Sequence, residues 1–174
     1  MTVWRVVGVL VCGVLVVATL LQGRTGSEQP PPAARTTVAV APAPGTPLGR
    51  TGRVVAALRD WDRRRGAAWS AGDAGALRAL YRPGSTAGRA DVRLLRAYAA
   101  SGWRVRGLST QVFAVRLLQR RGDTWTLRVV DRVAGGELVR DGRSRPLPTT
   151  EVATRRVELV RAGDDWRVGR VRPG

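Results

Sequence analysis

The chain has 174 residues and contains no histidine, no lysine, no asparagine and no isoleucine, with one cysteine and one phenylalanine. Without histidine there can be no Ser-His-Asp or Cys-His arrangement, no His-ligated metal, and no side chain that titrates near neutrality unperturbed. Acid-base chemistry would fall to Asp, Glu or Tyr with a strongly shifted pKa. Cys12 stands alone in the middle of an apolar run. Downstream of it no disulfide and no thiolate metal site can form, so neither a metal nor a cofactor is expected. No known catalytic motif is present either.

What the chain does have begins at its amino end. Val6 to Leu21 is unbroken apolar sequence, with Arg5 before it and Arg24 after it. Sixteen helical residues span about 24 Å, and counting from Val3 with Arg5 snorkelling to the headgroups gives about 28 Å, close to the roughly 30 Å of a bilayer core. Residues 1–21 are therefore expected to be a single transmembrane anchor, or a signal segment if the leader is cleaved. An A-x-A-like cleavage site is missing after the run, which favours the anchor. Cys12 lies mid-run behind Val11 rather than at the end of the run, so a lipid-modified cysteine is not expected. Residues 22–52 hold six of the ten prolines among Ala, Thr and Gly, and such a segment reads as an extended, disordered linker. The charge bias across the membrane nearly ties. A long Pro-rich spacer is of most use on the outer face, so the expected location is the cell membrane with the C-terminal domain extracytoplasmic, or secreted after cleavage.

All 30 basic residues are Arg, against 13 acids, for a formal charge of +17. A chain with abundant Ala, Val, Gly, Leu and Arg and no Lys, Asn or Ile carries the mark of a GC-rich coding sequence, and part of the Arg content follows from that. The residual physical consequence is attraction to polyanions, with anionic lipid or cell-wall polymer nearest to hand. RNA-type recognition would want exposed aromatics interleaved with the basic residues on a sheet; that signature is not evident, and nucleic acid is disfavoured as a partner.

Residues 53–174 read as a folded α+β domain. Val54, Val55, Leu58, Trp61, Ala68 and Trp69 follow a helical period to about Ala71, with Asp60, Asp62, Arg63 and Arg64 on the other face. Gly72 breaks this helix, and Asp73 is placed to cap a second one, Ala74 to Tyr81. A third is expected from Ala87 to Ala100. After Gly102 the period falls to two, giving strands through Leu118, from Thr124 to Val133, a short one from Glu137 to Arg140, and a last hairpin of Val152 to Arg161 with Trp166 to Val171. Turns are expected at Arg121-Gly122-Asp123, Gly135-Gly136 and Asp141-Gly142. Three helices would thus precede a meander of about five strands.

The phrase Ala68-Trp69-Ser70-Ala71-Gly72-Asp73 leading into Leu77-Arg78-Ala79-Leu80-Tyr81, and the closing strand Gly163-Asp164-Asp165-Trp166-Arg167-Val168, resemble the NTF2-like superfamily. The members meant are cystatin-like cones of the SnoaL and ketosteroid-isomerase type, in their membrane-anchored actinobacterial version. The resemblance implies three helices packed on a curved antiparallel sheet. Enzymes of that family use Asp, Tyr or His inside the cone, and none of their catalytic motifs can be matched here.

Ligand-pocket candidates are Trp69, Tyr98, Trp103, Trp125 and Asp131, each with a competing reading as core packing or, for Asp131, as an outward ion pair beside Arg128 and Arg132. An inward Asp131 would be the natural general base of an isomerase or cyclase. Arg63, Arg64, Arg65, Arg120, Arg121, Arg155 and Arg156 are expected to form basic surface. The sequence thus points to a non-enzymatic, membrane-anchored accessory domain of the cell envelope that binds a protein partner or an apolar ligand through its concave sheet. Rivals are a small-molecule isomerase with Asp131 as base and a basic membrane protein that binds DNA or another polyanion.

Overall fold

The computed structural model describes residues 49–174. The anchor or signal segment, Cys12 and nearly all of the Pro-rich linker lie outside the described residues. Among the described residues no helix is long and apolar enough to cross a membrane.

Three helices come first: α1 (Arg50–Ala71), α2 (Ala74–Ala79) and α3 (Thr86–Ala100). The linker boundary moves, since Gly49 caps α1 and Arg50 to Gly52 are already helical. Gly72 ends α1 in the left-handed conformation at φ 70°, where a residue without a Cβ is favoured. The next residue starts the following helix. Asp73 accepts from the Gly75 and Ala76 amides at 2.8 and 2.9 Å, satisfying donors that α2 cannot pair internally. Ser85 does the same for α3 through the Gly88 amide.

Five antiparallel strands follow: β1 (Arg104–Arg121), β2 (Thr124–Arg140), β3 (Arg143–Pro146), β4 (Ala153–Ala162) and β5 (Asp165–Pro173), ordered β1-β2-β4-β5 with β3 paired to the far end of β2. Two strand assignments differ from the sequence reading. Gly135-Gly136 is no turn, and β2 runs through it unbroken. Gly136 sits at φ 142°, and an added Cβ there would meet the Arg106 carbonyl at 3.3 Å and Leu108 Cα at 3.4 Å. The glycine pair therefore allows a bend and a close backbone approach within a long strand, next to the β1 bulge between Arg106 and Ser109. The second difference is β3, whose Arg-Ser-Arg-Pro carries no apolar alternation. It forms because Asp141 and Gly142, both at positive φ, make the tight turn that folds Arg143 back onto Arg140.

Helices cover one face of this curved sheet. The core between the layers is built from Val54, Leu58, Ala68 and Trp69 of α1, Leu77 of α2, Leu80 and Tyr81 just after it, Val92 and Leu95 of α3, and the inward side chains of the strands, Leu127, Val129, Val157, Leu159 and Val168 among them. A parallel bridge from Tyr81 to Val168 ties the helical layer to β5.

Candidate functional site

Between α1, α3 and the sheet lies a partly enclosed cavity of about 80 Å³. That exceeds the roughly 10–15 Å³ needed to admit one water and is about half the size of a cavity that takes up benzene. Its walls are mostly apolar, with Leu58, Trp61, Ala90, Leu94, Val129 and Val157 prominent. Three carboxylates and two guanidinium groups also reach it.

The deepest polar group is Asp91, on the buried face of α3. Arg65 grips it with two hydrogen bonds, Nε to Oδ2 at 2.7 Å and a terminal nitrogen to Oδ1 at 2.8 Å. The Tyr81 hydroxyl donates to Oδ2 at 2.6 Å and the Trp69 indole N–H to Oδ1 at 3.2 Å. A buried ion pair is tolerable only when its remaining hydrogen-bonding positions are filled, and here four donors converge on one carboxylate. Burial is the largest single influence and opposes the Arg65 charge, but Asp91, Tyr81 and Asp62 together outweigh it and hold the guanidinium above its ordinary range. Burial also pushes the Tyr81 hydroxyl well above its usual value, Arg65 pulling it down and Asp91 pushing it further up.

Asp62, expected on the solvent face of α1, instead accepts from the Thr110 hydroxyl at 2.8 Å and the Thr110 amide at 3.2 Å, clipping α1 to β1 at the cavity wall. Asp131 points inward from β2, only 8% exposed, and lines the cavity. Its partner is Arg155 on β4, not the flanking Arg128 or Arg132. The register explains this: Asp131 faces Ala153 and Val129 faces Arg155, so Arg155 lies one diagonal step away on the same inward face. Arg132 turns outward to Gln111.

Two arginines expected at the surface, Arg65 and Arg155, are thus cavity residues. Arg65 falls at helical spacing from Trp61 and Trp69, and Arg155 alternates in phase with Val157 and Leu159, which turns both inward. Arg63 pairs with Asp60, and Arg64 reaches Asp60 and Asp165, each at 2.9 Å. Arg120, Arg121 and Arg156 are exposed.

Of the five pocket candidates only Asp131 lines the cavity. Trp69 is fully buried behind it, with Tyr98 packed edge-on against its ring at 6.1 Å. Trp103 sits at the β2–β3 hairpin between Arg140 and Arg145, the latter's guanidinium 4.4 Å from the ring centre. Trp125 stacks on Trp166 at 3.9 Å. Each of these two follows a hairpin turn at the first inward positions, so together they close one end of the layers. Trp61 is the tryptophan of the cavity wall, held by an indole hydrogen bond to the Leu80 carbonyl at 2.9 Å.

Asp91 was not singled out from the sequence, though a signal existed. It precedes Leu95 and Tyr98 by four and seven residues, which puts an acid on the apolar stripe of α3, while Arg65 puts a base on that of α1. Every carboxylate at the cavity accepts a hydrogen bond from within the protein. Among the described residues no cluster of metal-ligating side chains occurs.

No protein-family model matches the chain, and no curated protein is significantly similar to it in sequence. Solved structures are similar in fold. The intermembrane space region of the chloroplast protein ARC6 superimposes with a TM-score of 0.53 at 11% identity, over 73% of this chain and 98% of that one. Aln2 from a Streptomyces species gives a TM-score of 0.47 at 16% identity, covering 68% of this chain and 88% of that one. An NTF2-like protein with a cystatin-like fold from Novosphingobium aromaticivorans gives 0.40 at 20% identity, covering 68% and 81%. Three helices laid over an antiparallel sheet is the arrangement that the chain shares with the ARC6 region, and it is the one that the resemblance to NTF2-like cones implies.

Proposed function

We propose that this domain binds a small, mostly apolar and uncharged molecule, or the apolar end of a larger one, in the cavity between its helices and sheet, and does not transform it. One observation carries the reading: the cavity is apolar walled, and each of its carboxylates is committed to partners inside the protein. The helices roof the concave face of the sheet, which leaves space for a ligand and none for a protein partner. An anion entering would face three carboxylates against two guanidinium groups, which disfavours negative ligands.

An enzyme with Asp131 as base has one point in its favour, that the side chain does face the cavity. Arg155 lies against that carboxylate, however, and its positive charge favours the ionised form and so weakens it as a base. The binding reading is therefore preferred. With its apolar leader and Pro-rich linker, the domain would be presented on the outer face of a membrane as an accessory component of the cell envelope. ARC6, of similar fold, likewise places that fold in a compartment between membranes.

An NMR titration with xenon, small enough for a cavity of about 80 Å³, tests the ligand reading, using Ala90→Leu as the blocked variant. Ala90 lines the cavity from α3, and leucine is about as good a helix former as alanine, so the variant fills space without disturbing the helix. Binding in the wild type and none in Ala90→Leu supports the proposal; equal binding in both contradicts it. Protease added to intact cells tests the location. The domain should be digested without lysis, and protection until lysis would contradict an outward orientation.

A further inference from the structure

On the outer face of the sheet, away from the cavity, the strand register stacks arginine upon arginine. Arg116 of β1 lies opposite Arg128 of β2, Arg128 opposite Arg156 of β4, and Arg156 opposite Arg172 of β5. A row of four guanidinium groups therefore crosses the full width of the main sheet. At roughly 4.8 Å between strands the row is about 14 Å long. All four are exposed, and none makes an ion pair or hydrogen bond with the described residues. Glu158, one row further on, is opposed to Arg170 and lies 3.7 Å from Arg82, and it makes no ion pair with the row. Like charges directly opposite on a sheet destabilise it. A coding bias toward Arg scatters charge over a surface; it does not choose one register across four strands.

Beside the row, edge strand β1 exposes two large apolar side chains, Phe113 at 50% and Leu118 at 41%. Both fall where the β1–β2 register slips, between Val112 and Ala114 and between Leu117 and Gln119, so bulges release them from the in-and-out alternation on either side of Arg116. Arg132 lies over the Phe113 ring at 5.6 Å.

We infer that this outer face docks on an anionic phospholipid surface, the arginine row meeting headgroup phosphates and Phe113 and Leu118 entering the boundary between headgroups and acyl chains. Basic charge spread over a plane and edged with exposed apolar side chains is the pattern of interfacial membrane binding. A single-stranded nucleic acid would instead want several aromatic platforms between the charges, and this face has one. The apolar run of residues 6–21, expected to be a membrane anchor, would hold the domain beside such a surface.

The test uses the full chain and takes the ratio of its partition coefficients on phosphatidylcholine vesicles with and without phosphatidylglycerol. In that ratio the contribution of residues 1–48 is common to wild type and variants and cancels between them. Each Arg→Gln change in the row should lower the ratio about fivefold, and all four together several hundredfold. Four Arg→Lys changes should keep most of it. Arg93→Gln with Arg96→Gln, an equal kind of charge loss at exposed positions of α3, should leave it nearly unchanged. The row variants should melt no lower than wild type, because a repulsion is removed. An equal loss from the α3 variant, no loss from the row, or the same row dependence on a duplex oligonucleotide as on vesicles would each overturn the inference.

Discussion

Asp91 accepts from Arg65, Tyr81 and Trp69 at once, so what is lost on replacing it depends on what is left behind. Asp91→Ala strands a buried guanidinium and should cost about 3–5 kcal/mol, enough to unfold a domain of ordinary stability at moderate temperature. Adding Arg65→Met should recover much of that loss, because the uncompensated charge goes with it, though the Tyr81 hydroxyl and the Trp69 N–H still want an acceptor. Urea melts of the two single variants and the double measure this coupling, and strict additivity would contradict it. Tyr81 gives the network a pH signature. Its hydroxyl titrates higher in the folded chain than in the unfolded one, so the folded state holds the proton more tightly, and the associated stability is intact below pH 10 and is lost as pH rises beyond it. Tyr81→Phe should remove that alkaline decline at a cost of about 1–3 kcal/mol at neutral pH, read from melting temperature against pH. Both partners of the hub stand in the sequence at helical spacing within apolar stripes, yet Arg65 is expected there as surface and Asp91 is not singled out. Their pairing was not legible, because it depends on how α1 and α3 cross.

At the level of elements, caps and turns were the most legible features. Gly72, Asp73 and Asp141-Gly142 each act through local backbone geometry, which four or five residues determine by themselves. Gly135-Gly136 was not legible, since the same dipeptide serves a hairpin turn or a bend in a long strand. The choice was made by the partner strand, whose bulge lets the two backbones approach. The inward turn of Asp131 and Arg155 belongs to the same class of problem: alternation assigns a side chain to a face, and only the layer packed on that face says whether it is buried. Gly88 shows how tertiary packing overrides local preference. Alanine would favour α3 by about 1 kcal/mol on propensity alone, yet its Cβ would fall 2.6 Å from Tyr81 Cβ and Cγ. Gly88→Ala should therefore destabilise the domain, by about 1–3 kcal/mol in a denaturant melt, and a net gain would contradict the tight seating of Tyr81 under α3.

Across the whole molecule, charge is divided between two faces. Among the described residues, the cavity side pairs Arg65 with Asp91 and Arg155 with Asp131, whereas the outer sheet face carries a row of four arginines with no such pairing, and it is on this division that the two proposals rest. Net charge and composition alone could not have shown that division, because the Arg content is the same whichever way each side chain turns. The cone architecture itself was legible from three helical periods followed by alternating strands. Filling the cavity with Ala90→Leu should raise stability by about 0.5–2 kcal/mol as well as block the ligand, which a thermal melt would register. The most direct measurement of the central claim is an amide and indole NMR titration of the wild-type protein with xenon. Shifts that saturate and centre on the Trp61 indole, Ala90, Val129 and Val157, and that vanish in Ala90→Leu, are the predicted result. Shifts absent from those residues, or found instead around Phe113 and Leu118 on the outer face, would contradict it.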